Sequence, residues 1–125
     1  MLSLLPTNDK DLLNNLSREL FRHEYPNDVG YLLLYNGEPI GLARFSVGET
    51  SRLHQIDIKD EYKDNGYKDF FTRAILYRLS QVSLYIVIDY YSEYFEQFGF
   101  SKTKEGKMTI ETSELHFPSN CKHKE

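Results

Sequence analysis

The sequence predicts a mixed α/β fold: a central sheet of about six or seven strands flanked by helices. Three observations carry this reading. First, the stretch from Arg52 to Ile88 reads as strand, glycine turn, helix and apolar strand. The helix, roughly Lys68 to Ser80, carries Phe71, Ala74, Ile75, Arg78 and Leu79 at three-and-four spacing, so it buries one face. The run Val82 to Ile88 is almost continuously apolar and of strand length, as in strands covered on both faces. Together they predict a right-handed crossover joining two parallel strands. Second, two antiparallel strands precede this unit. Third, an alternating segment with a glycine turn follows it.

Taken in order, Leu2 to Leu5 predicts a short first strand stopped by Pro6. Asn8 or Asp9 caps a helix whose face is Leu12, Leu13, Leu16 and Leu20, a stripe that belongs to a core. His23 to Val29 is a polar connector, with Pro26 barring helix continuation. Gly30 to Tyr35 and Ile40 to Phe45 read as antiparallel strands joined through Asn36-Gly37-Glu38-Pro39. On the strand Arg52 to Ile58, alternation assigns His54, Ile56 and Ile58 to one face and Gln55 and Asp57 to the other. Ser92 caps a short helix, Glu93 to Phe98, that stops at Gly99. Phe100 to Ile110 alternates around Glu105-Gly106, which predicts a hairpin. The chain reads as one domain over residues 1–112, with a C-terminal tail over 113–125.

Composition excludes several function classes. Of 125 residues, 40% are hydrophobic and 14% aromatic, which suits a chain that buries one substantial core. The net charge is −4 without a basic stripe, so no nucleic-acid partner is expected. No apolar run reaches the length of a membrane span, and no signal peptide is apparent, so no membrane partner is expected. A single cysteine excludes an internal disulfide and fits a reducing, cytoplasmic setting.

The segment Ile58 to Lys68 carries the chemistry. A strand that hands directly to a glycine turn and a helix start aims free backbone N–H groups, and the positive end of the helix dipole, at one spot. Phosphate or pyrophosphate suits that spot, although many such turns only reverse the chain. Charge around it is balanced: Lys59, Lys63, Lys68 and Arg73 are matched by Asp60, Glu61, Asp64 and Asp69. His54, as a side chain that titrates near neutrality, is a candidate general base. Asp57 is a second candidate, if burial raises its pKa. A hydrogen-bonded histidine and a loop-holding aspartate are the structural alternatives. In the tail, His116, Cys121 and His123 are too few and too loosely spaced for a structural zinc site, so no metal is expected.

This order of elements resembles the GNAT acyltransferase family, the acetyl-CoA-dependent N-acetyltransferases, over about residues 30–110. The family motif Q/R-x-x-G-x-G/A aligns with Lys63, Asp64, Asn65, Gly66, Tyr67 and Lys68, after Ile58 as the apolar strand end. A second family signature, an aromatic helix ending in Gly-Phe, aligns with Tyr94 to Phe100. The resemblance implies acetyl-CoA as cosubstrate. Pyrophosphate would be held by backbone N–H groups from about Asp64 to Lys68, with charge from Lys63 and the thioester carbonyl oriented near Ile58. It also implies a small-molecule or peptide amine as acceptor, attacking the thioester directly.

The chain departs from the family at four points. Lys63 stands where the family has Arg or Gln. Lys68 stands where the family has a small residue. Phe95 stands where many members have the tyrosine that protonates the leaving thiolate, which leaves the neighbouring Tyr94 as the candidate. The N-terminal helical region is short, so the acceptor site is expected to be open, or completed by a second subunit in a homodimer. The implied function is acyl-CoA-dependent N-acyltransfer. The alternative is a catalytically impaired GNAT-like binding or regulatory module.

Overall fold

The computed structural model describes residues 1–27 and 29–118. Among them, strands β1 (Leu2–Thr7), β2 (Gly30–Tyr35), β3 (Glu38–Ser46), β4 (Thr50–Ile58), β5 (Tyr85–Ile88), β6 (Ser101–Lys102) and β7 (Met108–Glu111) form one mixed sheet in the order β1-β2-β3-β4-β5-β7-β6. Helix α1 (Lys10–Phe21) follows β1, and helix α2 (Tyr67–Ser80) joins β4 to β5. Among the described residues only β4 and β5 pair in parallel, and the other ladders are antiparallel.

Each helix covers one face of the sheet. Asp9 is the α1 cap: its carboxylate accepts the Leu12 N–H at 3.2 Å. Arg22, at φ 69°, ends α1 in the left-handed region, four residues before Pro26. From α1, Leu13 and Leu16 pack on Leu32 and Leu42 of the sheet. On the opposite face Phe71, Ile75, Leu76 and Leu79 of α2 pack on Leu33, Ile40, Leu53 and Ile86. Adjacent Leu32 and Leu33 therefore serve different layers, as period-two alternation requires. The predicted α2 face is largely observed, but Arg78 is exposed and rests on the Tyr31 ring at 5.4 Å, while Leu76 joins the core. Asn36 and Gly37, at φ 51° and 86°, make the tight β2–β3 turn in the left-handed geometry that matches strand twist.

Four expectations are corrected. Pro6 does not stop the first strand but lies within it, because β1 is an edge strand and a missing N–H there leaves no ladder partner unpaired. The run from Val82 is not all strand: β5 begins at Tyr85, while Val82 and Leu84, 61% and 59% exposed, lie in the turn before it. Nor is β5 covered on both faces; Ile86 and Ile88 are buried and Tyr85 is exposed. The expected short helix after Ser92 is present over Glu93–Phe98, as a 3-10 helix.

The fourth correction is in β4. The β3–β4 register runs Arg44↔Gln55 and then Phe45↔Leu53, so His54 is an extra, bulged residue. Leu53, Ile56 and Ile58 consequently join the same buried cluster, which strict alternation forbids. His54 therefore does not share the face of Ile56 and Ile58.

Candidate functional site

The parallel ladder is short. It runs from Thr50↔Tyr85 to Leu53↔Ile88, and its last rung is the Asp89 N–H donating to the Leu53 carbonyl at 3.0 Å. Beyond it the chain leaves the sheet through Tyr90 and Tyr91 into the 3-10 helix, while β4 continues to Ile58. The two strands part like a fork. Between the tines lies a cleft of about 280 Å³, lined by Ile56 of β4, Lys68 and Asp69 of α2, and Tyr90, Tyr94 and Phe95 from the segment after β5.

The mouth of the cleft is the glycine turn. A 3-10 helix, Asp60–Asn65, carries the chain from β4 to Gly66, whose φ of 75° reverses it into α2. The Phe70 N–H is the first to close onto Gly66, at 3.1 Å, so the N–H groups of Tyr67, Lys68 and Asp69 precede the regular helical ladder. A Cβ on Gly66 would meet nothing within 4 Å. The turn is therefore open and rich in N–H groups, as a phosphate site requires. Asp64 and Asn65 lie exposed beside it. Tyr67 stacks at 5.6 Å on Tyr35, and Tyr62 closes that cluster.

Ion pairs organise the charges at this mouth. One oxygen of Asp57, Oδ1, is approached by Lys63 Nζ at 3.3 Å and Lys68 Nζ at 3.4 Å, and accepts the Ile58 N–H at 2.9 Å. Lys63 also reaches Asp60 at 3.2 Å. The Asp60 contact, with Asp57 beside it, raises the Lys63 pKa and keeps the ammonium charged. Lys68 is thus directed across the end of β4. Asp57 is a clamp for two lysines, and the Ile58 N–H is engaged by the preceding side chain. Oδ1 of Asp57 is thereby engaged by three donors before any acceptor amine arrives.

The aromatic segment lines the inner wall. Phe95 is buried against Tyr90, Tyr94, Phe98 and Phe100. A 3-10 helix turns about 120° per residue, and within it both Tyr94 and Phe95 reach the cleft. The Tyr94 hydroxyl donates to Asp69 Oδ1, while Asp69 Oδ2 accepts from Arg73 Nε at 2.9 Å. Burial and the neighbouring Asp69 push the Tyr94 pKa far up, because the phenolate would be dry and beside a carboxylate. A second phenol that sequence reasoning missed, Tyr90, lines the same wall, and burial pushes its pKa up to about 12.

At the fork itself His54 and Asp89 meet. Nδ1 of His54 bonds Asp89 Oδ2, and Nε2 lies 3.3 Å from Ser46 Oγ. Arg52 Nη1 approaches Asp89 Oδ1 at 3.0 Å and Lys107 Nζ approaches it at 3.6 Å. Burial alone would raise the Asp89 pKa, but the bonds and charges of His54, Arg52 and Lys107 outweigh it and hold the carboxyl below its ordinary value. An ionised partner at Nδ1 requires a proton there, which leaves the Nε2 lone pair free to accept one. Asp89 follows an apolar strand at no motif spacing from His54, so only the register of β4 against β5 reveals it.

Among the described residues no group of three or more His, Cys, Asp and Glu is arranged to hold a metal ion. Cys121 and His123 lie outside the described residues. No described helix is long and apolar enough to cross a membrane. After β7, Phe117 packs on Phe98 at 5.6 Å and the Pro118 carbonyl accepts from Arg73 Nη1 at 2.7 Å, so this end of the described chain is tied to α2 and the 3-10 helix.

By sequence, no family model and no curated protein matches this chain. Solved structures do. The ribosomal-protein-S18-alanine N-acetyltransferase of Escherichia coli superposes with a TM-score of 0.70 at 14% identity, covering 90% of this chain and 94% of its own. A GNAT family acetyltransferase of Brucella melitensis, in complex with acetyl-CoA, gives 0.69 at 14% identity over 89% and 88%. Arabidopsis thaliana Naa50, bound to the bisubstrate analogue CoA-Ac-MVNAL, gives 0.66 at 19% identity over 82% and 85%. The chain has the GNAT fold.

Proposed function

We propose that this protein transfers an acyl group, acetyl in the simplest case, from acyl-CoA to an amine. The observation that carries the reading is the fork: a cleft between parting parallel strands with the α2 N-terminus and Gly66 at its mouth. Solved neighbours with acetyl-CoA or a CoA-based bisubstrate analogue share this fold, which supports a CoA thioester as donor. The residues fit such a donor. The N–H groups after Gly66 and the ammonium of Lys68 face the pyrophosphate, Lys63 adds charge, and Asp64, Asn65 and Tyr67 shape the turn. Ile56 and Phe95 give the inner cleft an apolar wall for the pantetheine arm.

In this mechanism His54 Nε2 removes a proton from the ammonium of the acceptor, with Asp89 holding the ring and stabilising the imidazolium. The freed amine attacks the thioester carbonyl directly, and the CoA thiolate leaves. Tyr94 commits its proton to Asp69, which makes the Tyr90 hydroxyl the phenol better able to give one to the thiolate. Positioning supplies most of the rate and general base catalysis about a hundredfold or more. Peptide amines are the first acceptors to screen. The S18 acetyltransferase and the peptide-containing analogue on Naa50 point to that class.

A catalytically impaired binding module is the second reading. It is favoured by the mutual neutralisation of Asp57, Lys63 and Lys68 and by Phe95 at the tyrosine position. Calorimetric titration with acetyl-CoA and CoA, followed by an amine-acceptor screen, separates the readings. Micromolar binding with acetyl transfer that His54→Ala abolishes is expected for the enzyme. Binding without transfer to any amine points to the module, and no binding at millimolar ligand removes the CoA reading altogether.

A further inference from the structure

Three polar side chains at the fork are arranged as a nucleophile, a base and an orienting acid. Ser46 ends β3, is exposed, and its Oγ lies 3.3 Å from His54 Nε2. His54 Nδ1 bonds the carboxylate of Asp89. Because Asp89 is ionised and takes the Nδ1 proton in a hydrogen bond, Nε2 is the accepting nitrogen and Ser46 is the donor of the O–H. The three residues come from β3, β4 and the end of β5, so a bulge and a parallel ladder, not sequence proximity, bring them together. Arg52 stands directly opposite Ser46 in the β3–β4 ladder and reaches Asp89, which puts a guanidinium in the same cluster.

We propose that Ser46 is a nucleophile activated by His54 and oriented through Asp89, giving this protein an acyl-hydrolase activity on small activated esters and thioesters through an O-acyl-Ser46 intermediate. Such a constellation is recognised by geometry and roles rather than by sequence order. In the first step Ser46 Oγ bonds to the acyl carbon while its proton passes to His54 Nε2. The bond from that carbon to the leaving oxygen or sulfur breaks, and the imidazolium returns the proton to the leaving group. In the second step water adds to the acyl carbon and gives a proton to Nε2. The bond to Oγ then breaks, the imidazolium protonates Oγ, and a carboxylic acid is released. Arg52 offers positive charge to the oxyanion formed in each step. The reaction needs no oxidant, metal or amine.

An ester that carries no CoA tests this separately from the acyl-CoA reading. The full chain is incubated with p-nitrophenyl acetate, nitrophenolate release is followed, and acid-quenched protein is mapped by peptide mass spectrometry. The expected result is hydrolysis above the buffer rate with acetyl on the peptide containing Ser46. Ser46→Ala should lose the label and at least about tenfold of the rate. Ser46→Cys should restore a labelled intermediate, which excludes misfolding as the cause of the alanine result. Ser101→Ala, an exposed serine on β6, should change nothing. Asp89→Asn should lower the rate, since the His54 ring loses the carboxylate that holds its Nδ1. A wild-type rate no higher than buffer overturns the proposal. So does an unchanged rate in Ser46→Ala, or acetyl found on His54 with none on Ser46. If CoA binding fails while Ser46 is labelled, the donor reading falls and this one stands.

Discussion

Replacing Gly66 by aspartate, with alanine as its control, tests whether the turn before α2 is a phosphate site. The structure separates the two costs. Gly66 has a φ of 75°, so any side chain there pays a left-handed backbone penalty of about 1 kcal/mol. A Cβ at this position meets nothing within 4 Å, so no packing term is added. Both variants should therefore stay folded, with thermal midpoints about 3–5 °C lower. The aspartate adds a carboxylate about 5 Å from a phosphate held by the N–H groups of α2. At an effective dielectric of 20, that repulsion is about 3 kcal/mol, or roughly a hundredfold in affinity. Calorimetric titration with CoA should show near-native binding for Gly66→Ala and a loss of about two orders of magnitude for Gly66→Asp, shrinking as salt is raised. Equal affinities for the two variants would refute the assignment, whatever their absolute values.

Asp57→Asn should tighten CoA binding about fivefold, because Lys63 and Lys68 lose the anion that now engages them; the same titration reads it, and Lys68→Ala should weaken binding by a similar factor. Tyr94→Phe should leave turnover within about threefold, since its hydroxyl is already committed as a hydrogen-bond donor to Asp69, whereas Tyr90→Phe should lower it about tenfold or more in a thiol-release assay. Alkaline titration should show Tyr25 and Tyr90, pushed up to about 12 by burial, ionising well above an ordinary phenol, with Tyr94 higher still. Their folded-state pKa values exceed the unfolded value of about 10, so the stability they contribute is present below that pH and is lost as pH rises toward about 12. Phenolate absorbance alongside near-UV circular dichroism checks this; all ten tyrosines ionising together near pH 10 in a folded chain would contradict it.

Much of the site was legible because its chemistry is local. Ile58 to Lys68 announces a turn and a helix start within eleven positions, and the geometry that suits phosphate, a left-handed glycine followed by free N–H groups, is set by those same residues. The candidates His54, Asp57 and Tyr94 were each found at or beside the fork, but their roles were not readable. Alternation put His54 on the face of Ile56 because a bulge leaves no sequence mark. Asp57 read as a base; its two lysine partners come from the turn and from α2. Tyr94 read as the acid in place of Phe95; a 3-10 helix brings both to the cleft, but the Tyr94 hydroxyl is bonded to Asp69. Asp89, Tyr90 and Ser46 carried no signal. Each matters only through a neighbour far away in the chain.

The sequence by itself determined the elements and their order: the leucine face of α1, the Asn36-Gly37 hairpin, the crossover through α2, and the turn at Gly66. These rest on periodicity and backbone preference, which act over a few residues. Tertiary structure decided the width of the fork, the partners of every charged group at its mouth, and the meeting of Ser46, His54 and Asp89. Those depend on where the β4–β5 ladder stops and on one bulged residue, and both are set by how strands from separate parts of the chain pack against α2 rather than by any local pattern.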